Sequence, residues 1–150
     1  MRVSAKVDYA IRAMVELAAT PEGGPRKAEQ LSTSQQIPIK FLENIMLDLR
    51  HAGLVRSQRG VDGGYWLAKP ASEITLAAVI RAVEGSLADV RGVRAEALAF
   101  DGTAKPLRDV WVAVRAGLRR VLDTVTIADV AAGELPDVVA DLTAEPNAWA

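Results

Sequence analysis

Apolar residues recur at helical spacing over most of this chain and switch to strand spacing at one place only. From Ser4 to Ala19, Val7, Ile11, Met14 and Ala18 share a face, with Ala10 and Leu17 beside them, which predicts a helix capped by Ser4. Thr20 to Pro25 (TPEGGP) is a breaker loop, and Arg26 to Ser34 reads as a short helix. Pro38 to Ala52 is a third helix. Leu42, Ile45, Met46 and Leu49 fall at i, i+3, i+4 and i+7, Pro38 takes the first helical position, and Gly53 ends it. The period then shortens. Leu54 to Ser57 and Tyr65 to Leu67 are strand-like and flank a turn holding Gly60, Gly63 and Gly64, with Arg59 at its edge.

Beyond a Lys69-Pro70-Ala71 connector, Thr75 caps a helix from Leu76 to Glu84 that Gly85 stops. Ser86 to Thr103 has no clean period and reads as a loop with a helical turn near Arg94 to Leu98. Pro106 opens the longest helix. Its residues Leu107, Trp111, Val114, Leu118, Val121 and Val125 step by 4, 3, 4, 3, 4, a heptad seam widened by Val110 and Leu122. Thr126 and Asp129 have capping-box spacing at the start of a last short helix that ends at Gly133, and Leu142 to Ala150 reads as a tail.

This order is mainly α with a small β-hairpin. Helix–helix–helix–hairpin is the order of a winged helix-turn-helix, here over residues 1–85. Residues 86–105 form a loop and candidate effector region, 106–133 a long C-terminal dimerisation helix with a short helix after it, and 134–150 a tail.

Composition narrows the chemistry. With 150 residues and 50% hydrophobic, the chain is expected to bury a real core. The absence of cysteine removes disulfides, thiolate catalysis and cysteine-ligated metal sites. Arg2, Lys6, Asp8 and Arg12 interrupt any signal-peptide core, and no run reaches membrane-spanning length, so a cytoplasmic protein without membrane partners is expected. The net charge of −1 is split: residues 1–70 hold ten Lys/Arg against seven Asp/Glu (+3), and residues 71–150 hold eight against twelve (−4). The N-terminal half is the end suited to phosphate.

The third helix turns Lys40, Glu43, Asn44, Asp48 and His51 away from its apolar face. Asn can be bidentate to adenine, Glu accepts from cytosine N4, and Lys donates to guanine or phosphate. Early turns carry most base contacts, which favours Lys40, Glu43 and Asn44. Phe41 and Arg50 on the same helix, Arg56 on the first strand, and Arg59, Gly60, Gly63 and Gly64 of the hairpin complete the candidate DNA-binding set. Arg59 suits a narrow minor groove, and the glycines suit a tight turn near a sugar–phosphate chain. Leu47 lies toward the polar face, against a thymine methyl group or a neighbouring element. The heptad seam predicts a homodimer anchored at Trp111 that places two recognition helices roughly 34–36 Å apart on a palindromic duplex. No catalytic residue or metal site is expected. His51 has no cysteine partner, no serine elbow is present, and the glycine run lacks the strand–helix context of a phosphate loop.

MRVSAKVDYAIRAMVELA, FLENIMLDLRHAGLVRSQRG and the GGYWL hairpin resemble the Rrf family of bacterial transcription regulators, closely over about residues 1–85. The resemblance implies a homodimeric winged-helix repressor or activator, with Glu43 in the base-reading position and Arg59 probing the minor groove. Pro38 and Lys40 stand where relatives often carry small hydroxyl residues, so operator preference does not carry over. Cluster-binding members place three cysteines in the loop before the dimerisation helix. Here that loop, Gly85 to Ala104, has neither cysteine nor histidine. A pattern with helix-1 Glu and His ligands is not matched either, since Asp8 and Arg12 stand in those places. No iron–sulfur cluster or other cofactor is therefore expected. The loop instead carries Leu87, Val90, Val93, Leu98 and Phe100, which either pack on the dimer core or line a pocket for a small-molecule effector. The alternatives are control by a protein partner or metabolite, and an interaction module that has lost DNA binding and docks through its Trp149 tail.

Overall fold

The structure is a computed structural model that describes residues 2–20 and 24–150. The middle of the breaker loop, residues 21–23, lies outside the described residues. Helix α1 (Ala5–Ala19) starts where the Ser4 hydroxyl accepts the Val7 N–H at 3.1 Å, and it buries Val7, Ala10, Ala13, Met14 and Leu17. Two alanines in that stripe let neighbouring helices approach closely. Helix α2 (Ala28–Gln35) ends at Gln36, a non-glycine residue in the left-handed region at φ 53°. Such a conformation costs on the order of 1 kcal/mol and persists where its surroundings enforce it. Here Ile37 is buried, its N–H reaches the Ser32 carbonyl, and the Ser32 hydroxyl donates to the Ile37 carbonyl at 2.6 Å. This tight corner feeds α3 (Ile39–His51). Pro38 is the cap rather than the first helical residue, because its ψ of 127° is extended.

The hairpin is antiparallel. Strand β1 (Val55–Gln58) pairs with β2 (Gly64–Leu67) in the register Val55↔Leu67, Arg56↔Trp66, Ser57↔Tyr65 and Gln58↔Gly64. A third short segment joins it. The Arg26 N–H donates to the Tyr65 carbonyl at 2.8 Å, and the Tyr65 N–H donates back at 2.7 Å. Arg26 therefore belongs to the sheet and does not open the second helix as its sequence suggests. Gly64 is required by this pairing, since a Cβ there would lie 2.6 Å from the Arg26 carbonyl oxygen at a φ of 145°.

Helix α4 (Leu76–Glu84) is capped by the Thr75 hydroxyl and stopped by Gly85 at φ 89°. The core lies between α1, α2, α3 and α4, filled by Met14, Leu31, Ile37, Leu42, Ile45, Met46, Leu49, Ile74 and Val79. The chain then leaves this module. Asp89–Val90 (β3) and Val93–Arg94 (β4) form a second, two-residue hairpin. Its turn, Arg91 at φ 54° and Gly92 at φ 75°, has the doubly positive φ that tight hairpins favour. A 3₁₀ turn at Ala95–Ala97 stands where a helical turn is expected.

Helix α5 (Leu107–Leu122) buries none of its residues. It ends before Val125, which corrects the seam. Val125 is only 3% exposed, and its carbonyl accepts the Leu76 N–H at 3.0 Å, so it belongs to the chain's own core and cannot offer a dimer surface. Helix α6 (Ile127–Ala132) follows a Thr126/Asp129 capping box. It packs on α1 with Ile127 inside the core cluster, so the chain returns to the first module after α5. The sequence grouped α6 with α5 instead. The C-terminal residues hold a short helix α7 (Asp137–Thr143) and a 3₁₀ turn at Pro146–Trp149, where the segment from Leu142 reads as tail. Trp149 is 80% exposed, and its indole N–H donates to the Thr143 carbonyl at 2.7 Å. No helix among the described residues is long and apolar enough to cross a membrane.

Candidate nucleic-acid interface

Helix α3 sinks Leu42, Ile45, Met46 and Leu49 completely, and that fixes the rotation of its other face. Glu43, Asn44, Leu47 and Arg50 turn outward toward the wing. Between them and Ser57, Gln58, Arg59, Gly64 and Tyr65 runs a cleft of about 470 Å³. Arg50 spans it, with its Nη1 donating to the Ser57 hydroxyl at 3.3 Å. At the tip, Lys27 Nζ lies 3.4 Å from the Gly60 carbonyl oxygen, which brings a cation from before α2 beside the glycine loop.

The cleft brings together Glu43, Asn44, Arg50, Arg59 and Gly64 of the expected set. Lys40 is exposed on the first turn of α3, and Arg56 is exposed on β1 opposite Trp66. Phe41 packs its ring edge-on against Tyr9, with centroids 5.6 Å apart at 86°, while the Arg12 guanidinium sits 5.0 Å from the Tyr9 ring centre. Gly60 (φ 106°) lies at the exposed tip, and Gly63 is buried against the Gln58 backbone, where no Cβ would fit. Asp48 is taken by Lys6 of α1 at 2.7 Å. Leu47 forms part of the cleft wall.

Tyr65 and Gln58 escaped the sequence reading. The sequence places Tyr65 only at the start of a strand, and it is the register opposing it to Ser57 that reveals its place in the cleft. Burial pushes its phenol pKa up, and the Glu43 carboxylate adds to that, so the hydroxyl stays a neutral donor.

The loop apolar residues do not converge. Leu87 lies at the junction of α4 and α5, and Val90 faces Trp111 and Val114 of α5. Leu98 and Phe100 lie together near Pro106, while Val93 is exposed on the second hairpin. Along α5, Leu107, Val110 and Val114 stay 40%, 49% and 37% exposed. Leu118 and Leu122 line a groove with Val3, Val7 and Ile80 of the first module.

A core of packed helices, a tight α2–α3 corner, an outward polar face on α3 and a three-segment basic wing together define a winged helix-turn-helix DNA-binding protein. The chain belongs to the Rrf2 family, described as iron-dependent transcriptional regulators, whose pattern matches residues 3–133. A Mycobacterium tuberculosis protein provisionally named HTH-type transcriptional regulator Rv1287 is 49% identical over 142 residues, 95% of this chain and 88% of its own length. The HTH-type regulator CymR of Bacillus subtilis is 34% identical over 87% of this chain and 90% of its own. The solved structure of CymR, the global cysteine regulator of that organism, superposes with a TM-score of 0.75 at 32% identity, covering 89% of this chain and 98% of that one. The IscR structure from T. potens reaches a TM-score of 0.71 at 31% identity, with coverage of 100% and 97%. The chain is thus a DNA-binding transcription regulator and not an enzyme.

The family description raises iron. Iron–sulfur clusters are held by thiolates. This sequence has no cysteine and one histidine, and His51 is exposed on α3. No group of three or more His, Asp or Glu residues gathers at metal-binding distance among the described residues, and Asp8 is occupied by Arg12 at 2.9 Å. The donor set does not fit a cluster.

Proposed function

We propose that the protein is a homodimeric, sequence-specific regulator that works without an iron–sulfur cluster and reads a palindromic operator through α3 and the wing. The observation that carries this reading is the cleft shared by α3 and β1–β2, where Glu43, Asn44 and Arg50 stand across from Arg59. In this reading Asn44 pairs with adenine, Glu43 accepts from cytosine N4, and Arg59 enters the minor groove beside the tip. Lys27, Lys40 and Arg56 contact phosphates and set the register. The exposed apolar face of α5 supports the dimer, because a soluble monomer gains nothing from leaving Leu107, Val110 and Val114 in water. The winged module, residues 1–85 with α6, is the DNA-binding unit, and α5 is the dimerisation element.

Fluorescence anisotropy on a palindromic duplex tests this. With about 6–10 phosphates contacted, affinity falls roughly 10³–10⁵-fold between about 50 and 200 mM salt. Arg59→Ala weakens binding most on A·T-rich flanks. Salt-independent binding, or equal loss on every flank, defeats the reading.

A further inference from the structure

A second charged cluster lies away from the DNA-reading face. Arg81 near the end of α4, Arg94 of β4, and Arg115 and Arg119 of α5 line one depression of about 380 Å³, with Gly85, Ser86 and Leu87 as its remaining wall. Three separate elements thus contribute four arginines to the lining of one depression, and no carboxylate lines it among the described residues.

Two carboxylates hold the arginines from outside. Glu96 pairs with Arg94 at 3.0 Å and also with Arg115, while Asp123 bridges Arg81 at 3.0 Å and Arg119 at 2.8 Å. Four positive charges against two negative leave a surplus of two. The bridges use Nε of Arg94 and Arg119 and one Nη of Arg81 and Arg115, so each guanidinium keeps further N–H donors. Both carboxylates stay charged. Its own backbone N–H and then Arg115 hold Glu96 below the usual range, and Arg119 and then Arg81 do so for Asp123. The next carboxylate along α4, Glu84, is taken by the Ser4 hydroxyl.

We propose that this depression binds a small oxygen dianion, a phosphate monoester or a dicarboxylate, and that the bound anion ties α5 to α4. The planar forks of arginine match both anion types bidentately. Leu87 supplies an apolar patch for a short carbon stem. Arg81 belongs to the winged module, whereas Arg115 and Arg119 belong to the helix that carries the dimer face, so one ligand touches both. The binding half of this inference stands without the operator reading, and the regulatory half rests on it.

Calorimetric titration of the full chain with inorganic phosphate and with succinate, at matched ionic strength against acetate, tests the site. Saturable heat with phosphate alone assigns a phosphate ligand, and with succinate alone a dicarboxylate. The same response to acetate, or no saturable heat with either dianion, overturns the proposal. Arg94→Gln combined with Arg119→Gln, both mostly exposed side chains, weakens binding by about tenfold or more while the far-ultraviolet circular dichroism is unchanged. Arg81→Gln, placed on a different element, does the same if the pair perturbs folding. Unaltered binding in a folded variant also overturns it. Operator affinity is measured separately. A chain that binds the dianion but no DNA leaves the site standing and removes the regulator reading.

Discussion

Helices α3 and α5 carry similar apolar stripes and meet opposite fates. Helix α3 sinks four residues, Leu42, Ile45, Met46 and Leu49, entirely within the chain's own core. Helix α5 is longer and its apolar positions are as regularly spaced, yet none of them is fully buried, and Trp111, Leu118 and Leu122 are only partly covered. A helical period shows that one face must leave water, and it is silent about whose surface will cover it. For α3 the cover is α1, α2 and α4. For α5 the described residues cover only part of it, at Leu118 and Leu122, and leave Leu107, Val110 and Val114 open, a face for which a second copy is the reading the stripe supports.

That contrast is best broken by truncating both stripes. Met46→Ala should cost about 2–5 kcal/mol of folding stability, because a fully buried side chain leaves a cavity in a closed core. Denaturant unfolding measures it, and a loss under about 1 kcal/mol would mean that α3 is not core-locked. Trp111→Ala should cost about 2–4 kcal/mol of association instead, seen in sedimentation as a shift toward monomer with the helical content kept. A wild-type chain that sediments as monomer at every concentration removes this half of the contrast. On the outer face of α3, Glu43→Ala should leave stability alone and relax preference at one base pair by about 1–3 kcal/mol. Competition with a single-substituted duplex series measures it, and uniform weakening at all positions would make Glu43 a general contact. The smallest effect lies at the α4–α5 junction. Folding lowers the Asp123 pKa from its ordinary value of 3.8 through its arginine partners. Its bridges therefore stabilise above pH about 4 and are lost as pH falls through the lower folded value. Asp123→Asn should remove up to about 1 kcal/mol at neutral pH and flatten stability against pH in the acid range. An unchanged acid slope would show that the bridges contribute nothing.

Much of the winged module was legible because its signals are local. The caps at Ser4 and Thr75, the capping box at Thr126 and Asp129, and the stop at Gly85 each work through atoms within a few residues. What escaped depends on distant partners. The sequence predicts a helical Arg26 because nothing nearby shows that its N–H and carbonyl are claimed by Tyr65. Val125 continued the heptad arithmetic, but the helix had already ended, and Ile74 to Leu76 draws the following residues back to the core. The second hairpin was hidden because its turn uses Arg91-Gly92 rather than an Asn-Gly or Asp-Gly pair. Within the cleft, Glu43, Asn44 and Arg59 were evident from residue type, whereas Tyr65 entered only through cross-strand register.

The backbone bridge between Thr75 and Thr126 has a mechanical corollary. Residues 85–125 leave the module at the end of α4 and come back beside its beginning, so α5 is a handle fastened at both ends of one short helix. A tilt imposed on the handle cannot dissipate in a free tether. It is levered onto α4, and α4 lies directly against the buried side of α3.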